Sequence, residues 1–328
     1  MRVRATMAGV GSLAGRFPLV VLALACAALV AGGAGEPAGP GRPVVEESLT
    51  FGPRAADLYG NGGEVAALAV SPDGKALAVA SGTGDQPGGL RFWDPATGKE
   101  TASVREPRPV RAVAYAPDGK TVATGEQDGT VRLRDAATGK VRVSWPGQGD
   151  PVHSAAFTPD GKTLLTAAAD TAVRLWDVAT GQVRATLGTP ADGVTCAALS
   201  GDGATVAAGC KDNSIKLWDA AGKQKLVLKG HTGAILVVAF APDGKTLASG
   251  GADSIARVWD AAGGKELWKL AGHQGGVAGV AFSPDGKLLA TGGQDRTVKL
   301  WDAATGKEVV TLTGHAGPVN AVAFSRDG

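Results

Sequence analysis

Beyond residue 60 the chain alternates short apolar runs with turns rich in Gly, Asp and Pro. The stretch from Gly230 shows the pattern. "AILVVAF" (Ala234 to Phe240) is apolar and β-branched, which predicts a buried strand. "APDG" follows, with Pro at the first central turn position and Gly where a positive φ is wanted. "KTLASGG" predicts a second strand, "ADS" a tight turn and "IARVWD" a third strand, in which Ile255, Arg257 and Trp259 alternate with Ala256 and Val258. "AAGG" turns again, and "KELWKL" makes a fourth. No stretch carries a helical apolar period long enough to compete.

The same unit recurs along the chain. "SPDG" at Ser71 returns as "APDG" at Ala116, "TPDG" at Thr158, "SGDG" at Ser200, "APDG" at Ala241, "SPDG" at Ser283 and "SRDG" at Ser325. "WD" stands at Trp93, Trp176, Trp218, Trp259 and Trp301, with Arg134-Asp135 in its place in the second unit; the intervals are 41, 42, 42, 41 and 42. The units span about 65–105, 110–147, 152–188, 194–230, 235–272 and 277–314, with a partial unit at 319–328. Four short strands cannot bury their own faces and must stack on neighbours. Radial stacking predicts an all-β propeller of six complete four-stranded blades plus the first strand of a seventh.

The 328 residues include four His and three Cys, little material for metal or thiol chemistry. The formal charge is +2, but Arg2, Arg4 and Arg16 lie in the first 34 residues, which contain no acid; without them the charge is +2 − 3 = −1. A near-neutral body argues against a nucleic-acid partner. Those arginines precede an apolar run from Phe17 that ends in small residues, so 1–34 reads as a secretory signal, cleaved or retained as a membrane anchor. Residues 35–43 read as a Pro/Gly-rich linker and 44–328 as the propeller, which would then lie outside the cytoplasm, periplasmic, secreted or tethered. Cys196 and Cys210 read as two buried thiols.

The markers "GH", "(S/A)PDG", Ser or Thr, Asp and "WD", at constant mutual spacing, resemble the WD-repeat (β-transducin-like) β-propeller family over residues 65–328. Two units hold His, a hydroxyl, Asp and Trp together: His231, Ser249, Asp253 and Trp259, then His273, Thr291, Asp295 and Trp301. Ser, His and Asp could make a nucleophile. The resemblance instead implies a structural hydrogen-bonded chain tying the loop before a blade to its third strand. Elsewhere Glu106, Gln148 and Pro190 stand where His would be, Val79 and Ala208 where the hydroxyl would be, and Arg134 where Trp would be. Those blades are expected to rely on packing alone, and His153, outside any "GH", to be a surface residue.

The resemblance further implies a non-catalytic platform for proteins or peptides, without a cofactor. Contacts would come from residues flanking the first Val or Ile of each unit, Glu64, Arg111, His153, Thr195, Leu236 and Asn320, and from residues before the turn Asp, Gln127, Lys211 and Gln294. Arg111, His153 and Lys211 would favour a mildly acidic partner. A second row, Arg91, Arg132, Arg174, Lys216, Arg257 and Lys299, is expected to lay aliphatic stems over neighbouring strands with wet heads. Seven first strands but six full units predict a seven-bladed design that continues past Gly328. "VVEESLTF" (Val44 to Phe51) is a candidate closing strand, and a chain ending at Gly328 would associate through an open edge. The alternative reading is a propeller module of a longer multidomain protein whose activity lies further along the chain.

Overall fold

The computed structural model describes residues 65–82, 87–146, 149–170, 172–188, 193–315, 317–320, 322 and 324. The N-terminal segment, the linker, Val44 to Phe51, Glu64, Gln148, Pro190 and the residues from Ser325 onward lie outside them.

Among the described residues six four-stranded antiparallel sheets follow one another. Blade 1 holds β1 (Val65–Val70), β2 (Leu77–Ser81), β3 (Gly88–Asp94) and β4 (Lys99–Glu106). Blade 2 holds β5 (Val110–Tyr115), β6 (Thr121–Glu126), β7 (Val131–Asp135) and β8 (Val141–Trp145). Blade 3 holds β9 (Val152–Phe157), β10 (Thr163–Ala168), β11 (Val173–Asp177) and β12 (Val183–Leu187). Blade 4 holds β13 (Val194–Leu199), β14 (Thr205–Cys210), β15 (Ile215–Asp219) and β16 (Gln224–Leu228). Blade 5 holds β17 (Ile235–Phe240), β18 (Thr246–Gly251), β19 (Ile255–Asp260) and β20 (Glu266–Ala271). Blade 6 holds β21 (Val277–Phe282), β22 (Leu288–Gly293), β23 (Val298–Asp302) and β24 (Glu308–Leu312).

In five of the six blades the first hairpin closes at a Pro-Asp-Gly turn, and in blade 4 at Gly201-Asp202-Gly203. In blade 1 the Gly74 N–H donates to the Ser71 carbonyl at 2.8 Å, and Gly74 has φ 73°, the left-handed region where a Cβ is costly. Ser71 Oγ adds a bond to Asp73 at 2.6 Å. The register then slips by one residue near the start of the first strand and again at the third-strand Trp, as at Ile235/Val237 and Val258/Trp259. Such bulges increase the twist that lets flat sheets stack radially.

The cores lie between blades rather than within them. Trp145 at the end of β8 stacks on Trp176 of blade 3, ring centroids 5.2 Å apart. Leu187, Leu228 and Leu270, at or next to the ends of their outer strands, share clusters with Trp218, Trp259 and Trp301 of the following blades. Each blade therefore needs its neighbour to bury its third strand. Inner strands touch in chain order, β1 to β5, β9, β13, β17 and β21. After β24 the chain begins a seventh position. Val319 is buried against Gly292, and its N–H donates to the Gly293 carbonyl at 3.0 Å.

Candidate functional site

The two His-bearing sets are each joined in series. Trp259 Nε1–H donates to Ser249 Oγ at 2.8 Å, and Ser249 Oγ lies 2.8 Å from His231 Nε2. Because the Asp253 carboxylate can only accept, the Ser249 hydroxyl gives its proton to Nε2 and the imidazole proton sits on Nδ1. It donates to Asp253, both carboxylate oxygens lying at 3.0 Å. Asp253 also accepts from the Thr232 N–H at 3.0 Å and the Ile255 N–H at 3.2 Å. In blade 6 Trp301 meets Thr291 at 2.9 Å, Thr291 meets His273 at 2.8 Å, and His273 meets Asp295 at 2.9 Å.

The order Asp, His, hydroxyl matches that of a nucleophilic triad, but its last member is sealed. Ser249 and Thr291 are 0% exposed, and each oxygen already holds an indole proton. Burial lowers the His231 pKa although Asp253 pulls it up, which keeps the imidazole neutral inside the blade. Burial alone would raise the Asp295 carboxyl; hydrogen bonds from the Gln274 N–H, Thr297 and His273 outweigh it and bring it to about 2.

A glycine makes this link possible. A Cβ on Gly251 would lie 2.5 Å from both His231 Nδ1 and Asp253 Oδ1, and one on Gly293 would lie 2.3 Å from His273 Nδ1. The matching residue elsewhere is Ser81, Glu126, Ala168 or Cys210, and those units have no His before the first strand. That pairing of Gly with His is visible in the sequence and is the signal that marks the two linked blades.

Blade 2 departs from the expectation of packing alone. Arg134, 0% exposed, donates to Thr124 Oγ1 at 3.0 Å, to Glu106 at 2.7 Å and to Glu126 at 3.1 Å. Arg132 adds bonds to both glutamates. Two arginines and two glutamates thus replace His and Trp around the same hydroxyl position, with formal charges balanced. Blade 3 also departs from it, because Trp176 still donates to Thr166 at 2.7 Å. In blades 1 and 4 the buried Val79 and Ala208 occupy the hydroxyl position.

The row of third-strand cations does not keep wet heads. Arg91 pairs with Glu100, Arg132 with Glu106 and Glu126, Arg174 with Asp170, Arg257 with Glu266, and Lys299 with Glu308. Burial beside an acid, rather than a solvated stem, is what holds them. Lys216 alone in the row keeps its acid, Asp212, as far as 4.0 Å.

The contact candidates separate into two groups. Thr195 is buried; its hydroxyl donates to the Ile235 carbonyl at 2.5 Å, with the Gly209 carbonyl 3.0 Å from the same oxygen, stitching blade 4 to blade 5. Leu236 is 4% exposed and packs against Gly276. Neither can meet a partner, because the neighbouring blade already covers it. Lys211, Gln294 and Asn320 are exposed, and Arg111, Gln127 and His153 are half-buried. Arg111 Nε donates to Gln127 Oε1 at 2.7 Å, joining the two candidates of blade 2. His153 is not a surface residue in the simple sense. Burial lowers its pKa, and the charges of Arg111 and Lys211 lower it further, so blades 2, 3 and 4 bring these three groups within electrostatic reach.

Cys196 and Cys210 are buried thiols without a disulfide. Register places Cys196 opposite Gly209 and Cys210 opposite Val194, and burial pushes the Cys196 thiol up to about 12. Among the described residues no group of three His, Cys, Asp or Glu is placed to hold a metal ion.

Radial blades tied by interblade apolar clusters and inner polar chains define a β-propeller built from tandem repeats. Six segments, 98–135, 139–177, 181–219, 222–260, 264–302 and 306–328, match the WD domain, G-beta repeat family, and the chain belongs to that family. Each complete match is offset from a blade by one strand: 222–260 takes β16 of blade 4 with β17, β18 and β19 of blade 5. The sequence repeat is therefore itself an interblade link. Domains of this family typically mediate protein–protein interaction and are generally non-catalytic. No curated protein matches the chain.

Proposed function

We propose that this propeller is a non-catalytic platform that captures proteins or peptides on the face formed by the interblade loops and the turns before the third strands. The observation that carries the reading is the trio Arg111, His153 and Lys211, placed on three successive blades and coupled electrostatically. Charge at the edge of a docking surface steers an acidic partner and sets its register. Among the described residues the Ser-His-Asp and Thr-His-Asp series are consumed inside blades 5 and 6, which supports a binding role over a catalytic one.

The test is cross-linking in the native host, followed by mass spectrometry, with the wild type and the variant R111A/H153A/K211A. Partners recovered with the wild type should drop out with the variant; equal recovery refutes the reading. The face operates outside the cytoplasm or tethered to its membrane, a placement supported by the basic and apolar order of residues 1–34. Fusing residues 1–43 to a phosphatase reporter that folds only in an oxidising compartment should give activity, and an inactive fusion overturns this placement.

A further inference from the structure

A groove of about 520 Å³ opens between the outer part of blade 4 and the loop leading into blade 5. Asp212, Ser214, Lys216, Gln224, Lys229 and His231 line it. Its rim is the turn that carries Lys211, so it adjoins the face assigned above to partners.

Comparison with the sister blades shows what the groove lacks. In blades 1, 5 and 6 the third-strand cation is met by a glutamate near the start of the outer strand: Arg91 by Glu100 at 3.3 Å, Arg257 by Glu266 at 2.6 Å, Lys299 by Glu308 at 3.0 Å. Register identifies the matching residue in blade 4. Glu266 stands opposite Trp259 and Glu308 opposite Trp301; opposite Trp218 stands Gln224. Lys216 faces the groove with its side chain only 13% exposed, and its acid Asp212 is 4.0 Å away. Asp212 is already engaged by the Ser214 N–H at 3.0 Å and the Ser214 hydroxyl at 2.6 Å. A sheltered ammonium beyond hydrogen-bond distance of its acid carries a desolvation cost that a bound carboxylate would offset.

We infer that this groove is a subsite for the carboxylate of an acidic side chain on a bound protein or peptide. Lys216 and Lys229 supply charge, and the Gln224 amide can donate where Glu266 accepts in blade 5. The formal charge of the lining, two lysines against Asp212, is 2 − 1 = +1, with His231 giving its Nδ1 proton to Asp253. One net positive charge matches a monoanionic carboxylate and undercompensates a dianionic phosphate. The assignment rests on the platform reading only in making the carboxylate part of a partner.

The probe is a fluorescein-labelled hexaglutamate peptide titrated by anisotropy against the full chain, with hexaglutamine and inorganic phosphate as controls. The wild type should bind hexaglutamate and discriminate against hexaglutamine. Gln224→Glu, which copies blades 1, 5 and 6, should close on Lys216, leave the melting temperature unchanged or higher, and weaken the peptide by about tenfold or more, the scale of one charge-assisted hydrogen bond. Lys216→Gln should weaken it similarly. No hexaglutamate binding by the wild type, or a Gln224→Glu variant that binds as tightly as the wild type, overturns the inference; so does phosphate competing better than glutamate. The titration needs no native partner, so partner capture indifferent to R111A/H153A/K211A would sink the platform reading and leave this result standing.

Discussion

Arg134→Leu should open blade 2 selectively. The arginine is fully buried and holds Thr124, Glu106 and Glu126 together. Its removal leaves two carboxylates, 8% and 1% exposed, sharing Arg132 alone. Breaking a buried ion pair by deleting one member costs about 3–5 kcal/mol, since the surviving charge stays desolvated. A tandem array unfolds in parts, so the readout is native-state amide exchange rather than a global melt. Exchange in β5 to β8 should accelerate by roughly a hundredfold to a few thousandfold, while β17 to β20 in blade 5 stay near wild type. The triple variant E106H/E126G/R134W copies blades 5 and 6, including the glycine that the His–Asp contact requires. It should recover to within about 1 kcal/mol of wild type, because a buried ionic cluster and a well-packed replacement are often nearly equivalent. Two results would refute the reasoning: an Arg134→Leu cost in blade 2 below about 1 kcal/mol, or a triple variant no better than the single one.

Other consequences are equally open to measurement. Ser249→Ala strands the Trp259 indole and His231 Nε2 in a dry blade and should cost about 2–3 kcal/mol in blade 5 exchange, whereas Ser249→Thr, the residue blade 6 uses, should cost under about 1 kcal/mol. Asp295 sits at about 2 when folded against the ordinary carboxyl value of 3.8 in the unfolded chain, so the folded form binds fewer protons between those values. The stability this provides is complete above about pH 4 and drains as pH falls toward 2; urea titrations should show Asp295→Asn flattening that slope. Leu187→Ala empties the seat against Trp218 between blades 3 and 4 and should cost about 2–5 kcal/mol by the same exchange measurement. Arg296 holds φ 68°, where blade 2 has Gly129 at 81°; Arg296→Gly should raise the midpoint of thermal unfolding by relieving up to about 1 kcal/mol of strain.

The amino-acid sequence by itself determined the period, the four strands of each blade and the places of the Pro-Asp-Gly turns, because strand alternation and positive-φ glycine are local demands. It also marked His231, Ser249, Asp253 and Trp259 as a set, since rigid strands at constant spacing carry them to one point. The neighbouring blade decided the rest. Thr195 and Leu236 look like loop-flanking surface positions within their own units, yet an element some forty residues further on covers each of them. Arg134 looks like a lost Trp until Glu106, at the end of the preceding blade's outer strand, and Glu126 reach it, although all three charges lay in plain view. The same holds for the cation row: Arg257 and Lys216 are alike within the third strand, and only the register of the outer strand reveals Glu266 beside one and Gln224 beside the other. Burial and ion pairing are properties of the interface between two repeats, so a pattern read one repeat at a time contains the blade but not its contacts.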